Sequence, residues 1–278
     1  MSYIRLFGLF FFLCFCLPIQ PQTKRALVIG LGEQLDQNWP KINGDRDIKY
    51  VTEMLLDVGF VEGNIITLVN FQATKTNIVA AFKRLTQLCK VGDIVYVHFS
   101  GHGQRMTDLN ADEEDGWDES WIPYDAFKKY CIMDNGEKHL IDDEINVLLF
   151  AIKKRIGENG KLLVVVDACH SGDSSKPIGN RIRGVSNKFV IPPKMYIPNR
   201  VRSERWLILS ACKNYEYNQE MSLPKVGILS YALYCISKEG HVNMSAIEDF
   251  IRKNKGPLPQ TPILTGETDK YKISDILK

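Results

Sequence analysis

The sequence predicts an α/β protein: a three-layer sandwich with a mostly parallel central sheet and helices on both faces. Three observations carry this. Its strand-like runs are apolar along their whole length, as strands covered on both faces are. Helix-like segments with one apolar face alternate with them. Two of the apolar runs end in small-residue turns bearing reactive side chains, where ligands gather in parallel sheets.

The first strand is Ala26-Leu27-Val28-Ile29-Gly30. Ile48, Val51, Leu55 and Val58 then form a helical stripe behind Asn43 and Asp45. Ile65-Ile66-Thr67-Leu68-Val69 is a second strand, and Ile78, Phe82, Leu85 and Leu88 make a second stripe, with Thr76 expected to cap it. The strand Ile94–Phe99 runs into Ser100-Gly101-His102-Gly103. After a polar, acidic stretch a helix is expected from about Asp142, its apolar face built from Ile145, Leu148, Leu149, Ile152 and Ile156. Leu162-Leu163-Val164-Val165-Val166 is the next strand and delivers Asp167-Ala168-Cys169-His170-Ser171-Gly172. A basic segment follows, then a strand at Trp206–Ser210 and helices near Ile228–Ser237 and Met244–Lys253.

Arg5 followed by twelve mostly apolar residues, Leu6 to Leu17, reads as a secretory signal peptide over 1–22, too short to span a bilayer comfortably. The expected location is periplasmic or secreted; retention as a membrane anchor is the alternative. The domain is expected over 23–278, with a large part to about 172, a linker over about 173–203 and a small part over about 204–278. A net charge of +2 gives no case for nucleic acid. Five cysteines remain after the leader, an odd number with no C-x-x-C pair, so neither a disulfide framework nor a zinc site is indicated. Cys89 and Cys235 are expected in the core.

A thiolate is the reactive form of cysteine, and a neighbouring imidazole can take its proton and later protonate a leaving amine. Cys169 is therefore the candidate nucleophile and His102, in its glycine-flanked turn, the candidate base. His170, adjacent to Cys169 in sequence, is expected to point elsewhere, and His98 to be packed inside its strand. Gly172 and the backbone around Cys169 are candidate oxyanion donors. Residues 167 and 169 share a face in a strand, which puts Asp167 beside the nucleophile, either orienting His102 or binding a basic substrate side chain.

These motifs resemble those of the caspase-like cysteine peptidases, specifically the metacaspases. The likeness rests on Tyr96–Gly103, Asp167–Gly172, Asp112–Glu119, Ile122–Asp125, Ile141–Ile145, Leu209–Cys212, Gly227–Leu233 and Gln260–Pro262, in that order along nearly all of the chain after the leader. It implies a caspase-like fold and a cysteine endopeptidase with His102 as base and Cys169 as nucleophile. It also implies cleavage after Arg or Lys, with Asp167, Asp47 and Ser100 holding the basic side chain. Gly44 stands where the metacaspase pattern has Cys.

Calcium is the expected activator, because dense carboxylates suit a hard cation. The stretch from Asp108 fails the EF-hand template, with Glu113 where glycine is required. Resemblance points instead to Asp118, Asp142 and Asp143, with Lys176 near the place of the family's fourth ligand. The basic linker offers Arg181, Arg183 and Lys188 as self-cleavage points. The expected partner is a peptide or protein with a basic residue before the scissile bond, and the expected state a monomer. Two other classes fit the sequence: a catalytically silent caspase-like domain that binds a peptide or protein partner, and a calcium-binding structural protein.

Overall fold

The computed structural model describes residues 22–110, 113–169, 182–192 and 205–278. The leader, His170, Gly172, Lys176, Arg181 and most of the basic linker lie outside these residues. In chain order the elements are β1 (Lys24–Gly30), α1 (Gly44–Asp57), β2 (Ile65–Val69), α2 (Lys75–Leu88), β3 (Ile94–Ser100), β4 (Gly103–Thr107), β5 (Trp117–Trp121) and β6 (Leu140–Ile141). Then follow α3 (Asp142–Ile156), β7 (Lys161–Asp167), β8 (Leu207–Ser210), α4 (Ile228–Lys238), α5 (Met244–Asn254) and β9 (Ile263–Gly266).

The central sheet has the order β2-β1-β3-β7-β8-β9. Its first five strands are parallel and β9 runs antiparallel against β8. The expected α/β sandwich is thus the fold, and both sides of the basic linker contribute strands to one sheet. Because side chains alternate across a strand, Ala26 and Val28 of β1 face the α1, α4 and α5 layer, where Val51, Leu233 and Ile247 pack. Leu27 and Ile29 face the α2 and α3 layer, with Phe82, Leu85, Leu149 and Ile152. Covering on both faces is why the strands read as unbroken apolar runs.

Local signals set the helix ends. Thr74, rather than Thr76, caps α2: its side-chain oxygen accepts a hydrogen bond from the Asn77 N–H at 3.3 Å. Thr76 already lies inside the helix, two residues past the capping position. Helix α3 opens with Asp142, Asp143 and Glu144 and closes with Lys153, Lys154 and Arg155, charges that complement its dipole. Gly157, at φ 71°, ends it in a conformation glycine adopts without strain.

The acidic stretch after His102 is not merely a loop. It carries β4, β5 and β6, a small antiparallel sheet beside the main one. Cys89 is buried as expected, while Cys235 is only half-buried. No helix among the described residues is long and apolar enough to cross a membrane.

Candidate active site

The register of β3 against β7 builds the site. These strands are parallel neighbours with Ser100 opposite Asp167, so the turn carrying His102 and the segment carrying Cys169 leave the sheet side by side. The Gly101 N–H donates to the Asp167 carbonyl at 3.4 Å, holding the two exits together.

His102 is fully buried, its ring stacked on Trp39 at 5.1 Å between centroids. Its Nε2 lies 2.7 Å from the Pro40 carbonyl oxygen, which can only accept, so Nε2 carries the proton. That leaves the Nδ1 lone pair without a hydrogen-bond partner among the described residues. Burial pushes the imidazole pKa down to about 4, against the opposing hydrogen bond to Pro40. At neutral pH the ring is therefore uncharged and able to accept a proton.

Cys169 follows the end of β7 by two residues and is buried; its thiol donates to the Glu216 carbonyl at 2.9 Å. Cys212 sits beside it, and a hydrogen bond with Cys169, together with burial, raises the Cys212 pKa. Strand β7 stops at Asp167, so the strand-face relation expected between Asp167 and Cys169 does not extend to the cysteine.

The acids expected to hold a basic side chain do come together, and the chain fills the space between them with its own Arg183. The Arg183 side chain is fully buried. Its Nη1 donates to Asp47 Oδ2 at 2.7 Å and to Ser100 Oγ at 2.6 Å, and lies 3.4 Å from Asp167 Oδ1. Its Nε donates to Glu220 Oε1 at 3.0 Å. Burial alone would lower the guanidinium pKa, but Asp47, Asp167 and Glu220 together raise it. Asp47 is pushed up to about 6, chiefly by burial, despite the guanidinium beside it. Burial also opposes ionisation of Asp167, but Arg183 and hydrogen bonds from Ser230 and Asn218 hold that carboxyl below its usual range.

The backbone around Arg183 is seated like an added strand. Its N–H donates to the Asn218 carbonyl at 2.9 Å, and Ile182 bridges Gln219 antiparallel. Gly184 then passes over Cys169: a Cβ built on it would come within 2.2 Å of the Cys169 carbonyl oxygen and 3.2 Å of Cys169 Cβ. Its φ of 149° is a further reason for glycine there. Of the other linker candidates, Lys188 lies over the Trp117 ring at 3.8 Å, away from this pocket, and Arg181 is outside the described residues.

Comparison with known proteins decides the family. Residues 24–176 match the family model described as "Metacaspase, peptidase C14 domain", more than half of the 278-residue chain. The chain belongs to the metacaspase family. Among curated relatives it is similar to Metacaspase III c of Phaeodactylum tricornutum, 31% identical over 161 residues, covering 56% of this chain and 44% of that protein. Metacaspase-2 of Arabidopsis thaliana is 35% identical over 163 residues, covering 56% of this chain and 36% of that one. The chain thus spans less than half the length of these relatives. A solved structure of a Geobacter sulfurreducens protein shares the fold, with a TM-score of 0.63 at 24% identity over 87% of this chain and 92% of that one.

In this metacaspase the second group of expected residues is divided between β5, which carries Asp118, and the start of α3, which carries Asp142 and Asp143. Asp118 on β5 is buried and, with Asp143, lines a cavity that Asn110, Glu137, His139 and Glu144 share. Asn110 donates to Asp143, and Lys75 pairs with Glu144 at 2.6 Å. Asp142 does not line that cavity. Burial, then the charges of Glu119, Asp143 and Glu113, pushes its pKa up to about 7, and its Oδ1 has no hydrogen-bond partner among the described residues. The chemistry of this donor set suits a hard cation. Yet among the described residues no group of three His, Cys, Asp or Glu side chains is close enough to hold a metal ion.

Several residues of the metacaspase site carried no local signal in the sequence. Pro40 and Trp39 fix His102 from a loop 62 positions upstream. Asn218 and Ser230 hold the two oxygens of Asp167, at 2.7 Å and 2.5 Å. Ser230 Oγ in turn accepts from His98 Nε2 at 3.1 Å, and His98 Nδ1 accepts from the Tyr96 hydroxyl at 2.9 Å. His98 is thus packed as expected, and it also braces the pocket. Gly44, where the family pattern has Cys, has no room for a side chain: a Cβ would lie 2.5 Å from the Leu31 carbonyl oxygen and 2.6 Å from that of Ser100.

Proposed function

We propose that this metacaspase domain is a cysteine endopeptidase that cleaves after arginine or lysine. One observation carries it: a buried arginine held by Asp47, Ser100, Asp167 and Glu220, with the residue after it packed on Cys169. Buried carboxylates at such density need a cation. A substrate's basic side chain would take the place Arg183 takes, with its backbone paired along Asn218 and Gln219 as Ile182 and Arg183 are.

In the reaction the Cys169 sulfur attacks the carbonyl carbon of the bond after the basic residue. His102 Nδ1 accepts the thiol proton and passes it to the departing amine as the C–N bond breaks. Water then hydrolyses the thioester, returning the acid product and the free thiol. Pro40 keeps the ring in the tautomer this requires. The same arrangement supports self-cleavage after Arg183, the linker candidate that occupies the pocket.

Calcium activation belongs to this proposal, through Asp118, Asp142 and Asp143. What supports it is the cavity that Asp118 and Asp143 line, beside Asp142, whose pKa burial and then the neighbouring acids push up to about 7. Export, directed by the 1–22 leader, is part of the same proposal.

The test is a peptide panel with Arg, Lys or Asp before the scissile bond, with calcium or chelator, on wild type and Cys169→Ala. The expected outcome is cleavage of the basic peptides only, stimulated by calcium, and nicking after Arg183 in wild type alone. Binding of arginyl peptides without turnover would favour the silent domain. Cleavage after Asp would overturn the pocket assignment, and full activity in excess chelator the calcium proposal.

A further inference from the structure

We propose that Glu220 is a specificity-determining residue that makes the pocket prefer arginine over lysine. This rests on Arg183 standing where a substrate's basic residue would bind. The contacts divide by atom: Asp47, Ser100 and Asp167 meet Nη1, whereas Glu220 meets Nε. Lysine reaches as far as the guanidinium carbon, so its ammonium can approach the first three groups. At the position of Nε, however, lysine has a methylene. Against that methylene Glu220 Oε1 would stay buried without the hydrogen bond it accepts from Nε, the mismatch that makes Arg and Lys non-equivalent at such sites.

Glu220 cannot turn away to avoid this. It is 1% exposed, and its Oε1 also accepts from the Asn43 backbone N–H at 2.6 Å while its Oε2 accepts from Asn43 Nδ2. Asn43 is itself fixed, because the next residue, Gly44, is wedged against the carbonyls of Leu31 and Ser100. The carboxylate is therefore aimed before any ligand arrives, and its acceptor faces the side-chain atom that distinguishes the two basic residues.

A peptide pair identical except for Arg or Lys before the scissile bond tests this. Wild type should favour the arginyl peptide in kcat/KM by roughly 10- to 100-fold, the worth of one hydrogen bond to a charged group. Glu220→Gln should shrink that ratio to about 3-fold or less, with the loss falling on the arginyl peptide. An unchanged ratio, or equal losses on both peptides, would overturn the role of Glu220 while leaving basic specificity intact. Failure of wild type to cleave either peptide would instead count against the peptidase proposal, and Glu220 would be judged without turnover. In Cys169→Ala protein, Arg183→Lys should lower Tm by roughly 4–10 °C when Glu220 is present and much less in Glu220→Gln. Additive Tm changes would overturn the inference.

Discussion

Asp47, Asp167 and Glu220 converge on a guanidinium that the chain itself provides, whereas Asp118 on β5 and Asp143 on α3 line a cavity that Asp142 does not, with Lys75 paired to neighbouring Glu144. Burial is the largest influence on one acid in each group, pushing Asp47 up to about 6 and Asp142 up to about 7. The difference is where neutralisation comes from. At the carboxyl ends of β3 and β7 Arg183 supplies it from within the chain. At α3 burial and then the neighbouring acids push Asp142 up to about 7, and the proposed calcium ion is what would neutralise it.

The largest consequence follows from removing the guanidinium. Arg183→Ala would strand three buried carboxylates, and breaking a buried pair by deleting one partner costs about 3–5 kcal/mol. Chemical denaturation of Cys169→Ala protein, with and without Arg183→Ala, should show a loss of that size. A loss under about 1 kcal/mol would mean that solvent reaches the pocket and that the two acid groups do not differ as described. Added free arginine or a guanidinium compound should recover part of the loss, since a ligand that binds only the folded state stabilises it.

Next in size is Asp167→Asn. If the pocket binds the substrate's basic group, kcat/KM for arginyl peptides should fall by roughly 30-fold or more, since truncating one partner of a buried charge pair costs about 2–5 kcal/mol. The Asp167 carboxylate accepts hydrogen bonds from Asn218 and Ser230, whereas His102 donates to the Pro40 carbonyl. Alkylation of Cys169 by iodoacetamide should therefore be little affected. Parallel losses in peptide cleavage and alkylation would show that Asp167 acts through His102 instead.

The contrast between the two groups also explains what was legible in the sequence. His102 and Cys169 could be singled out because each follows an apolar strand, and the strand-by-strand pattern of the sheet was readable because burial on both faces leaves unbroken apolar runs. Ser100 and Asp167 sit in the same strand-end motifs. Glu220 and Asn218 reach the pocket from a segment outside the named strands and helices, where nothing periodic marks them, whereas Ser230 sits in the first turn of the expected helix α4, whose apolar pattern does not reveal its role. The nearest signal was compositional: acids at Glu216 and Glu220 directly after an apolar strand and Cys212. Strands β4 and β5 were read as a polar stretch because Gln104 and Ser120, both fully buried, break the apolar alternation that identifies a strand. Their polar groups are satisfied across the small sheet and its surroundings: Ser120 Oγ donates to the Gln104 carbonyl and Gln104 Nε2 to the Asn187 and Lys128 carbonyls.

Asp142 gives the pH test of the second group. Its folded pKa, about 7, lies above the ordinary 3.8. A raised carboxylate favours the folded state below pH 4 and loses that contribution as pH climbs from about 4 to about 7. In chelator, Asp142→Asn should therefore stabilise the protein at pH 8 by on the order of 2–4 kcal/mol, one pKa unit being about 1.36 kcal/mol. The gain should vanish toward pH 4. In excess calcium the order should reverse at pH 8, wild type gaining and the variant not. Thermal melts at the two pH values decide it: a gain independent of pH would remove charge burial as the cause, and no response to calcium would remove the cation.

The smallest effect is expected at Lys75, and it sharpens the comparison because Lys75 and Arg183 are both cations set against carboxylates. Lys75 Nζ lies 2.6 Å from Glu144 Oε2, a shorter separation than any Arg183 makes to its acids, yet the Glu144 side chain is 44% exposed while those around Arg183 are at most 1% exposed. Water screens an exposed charge and solvates it once its partner is gone, so such a pair contributes about 0.2–1 kcal/mol. Lys75→Met should accordingly lower stability by less than about 1 kcal/mol, and by less still in 1 M salt, where screening acts within about 3 Å. Arg183→Ala, with its acids shut away from solvent, should keep most of its loss in the same salt. If the two losses were of equal size, or shrank equally with salt, burial would not be what separates the two acid groups.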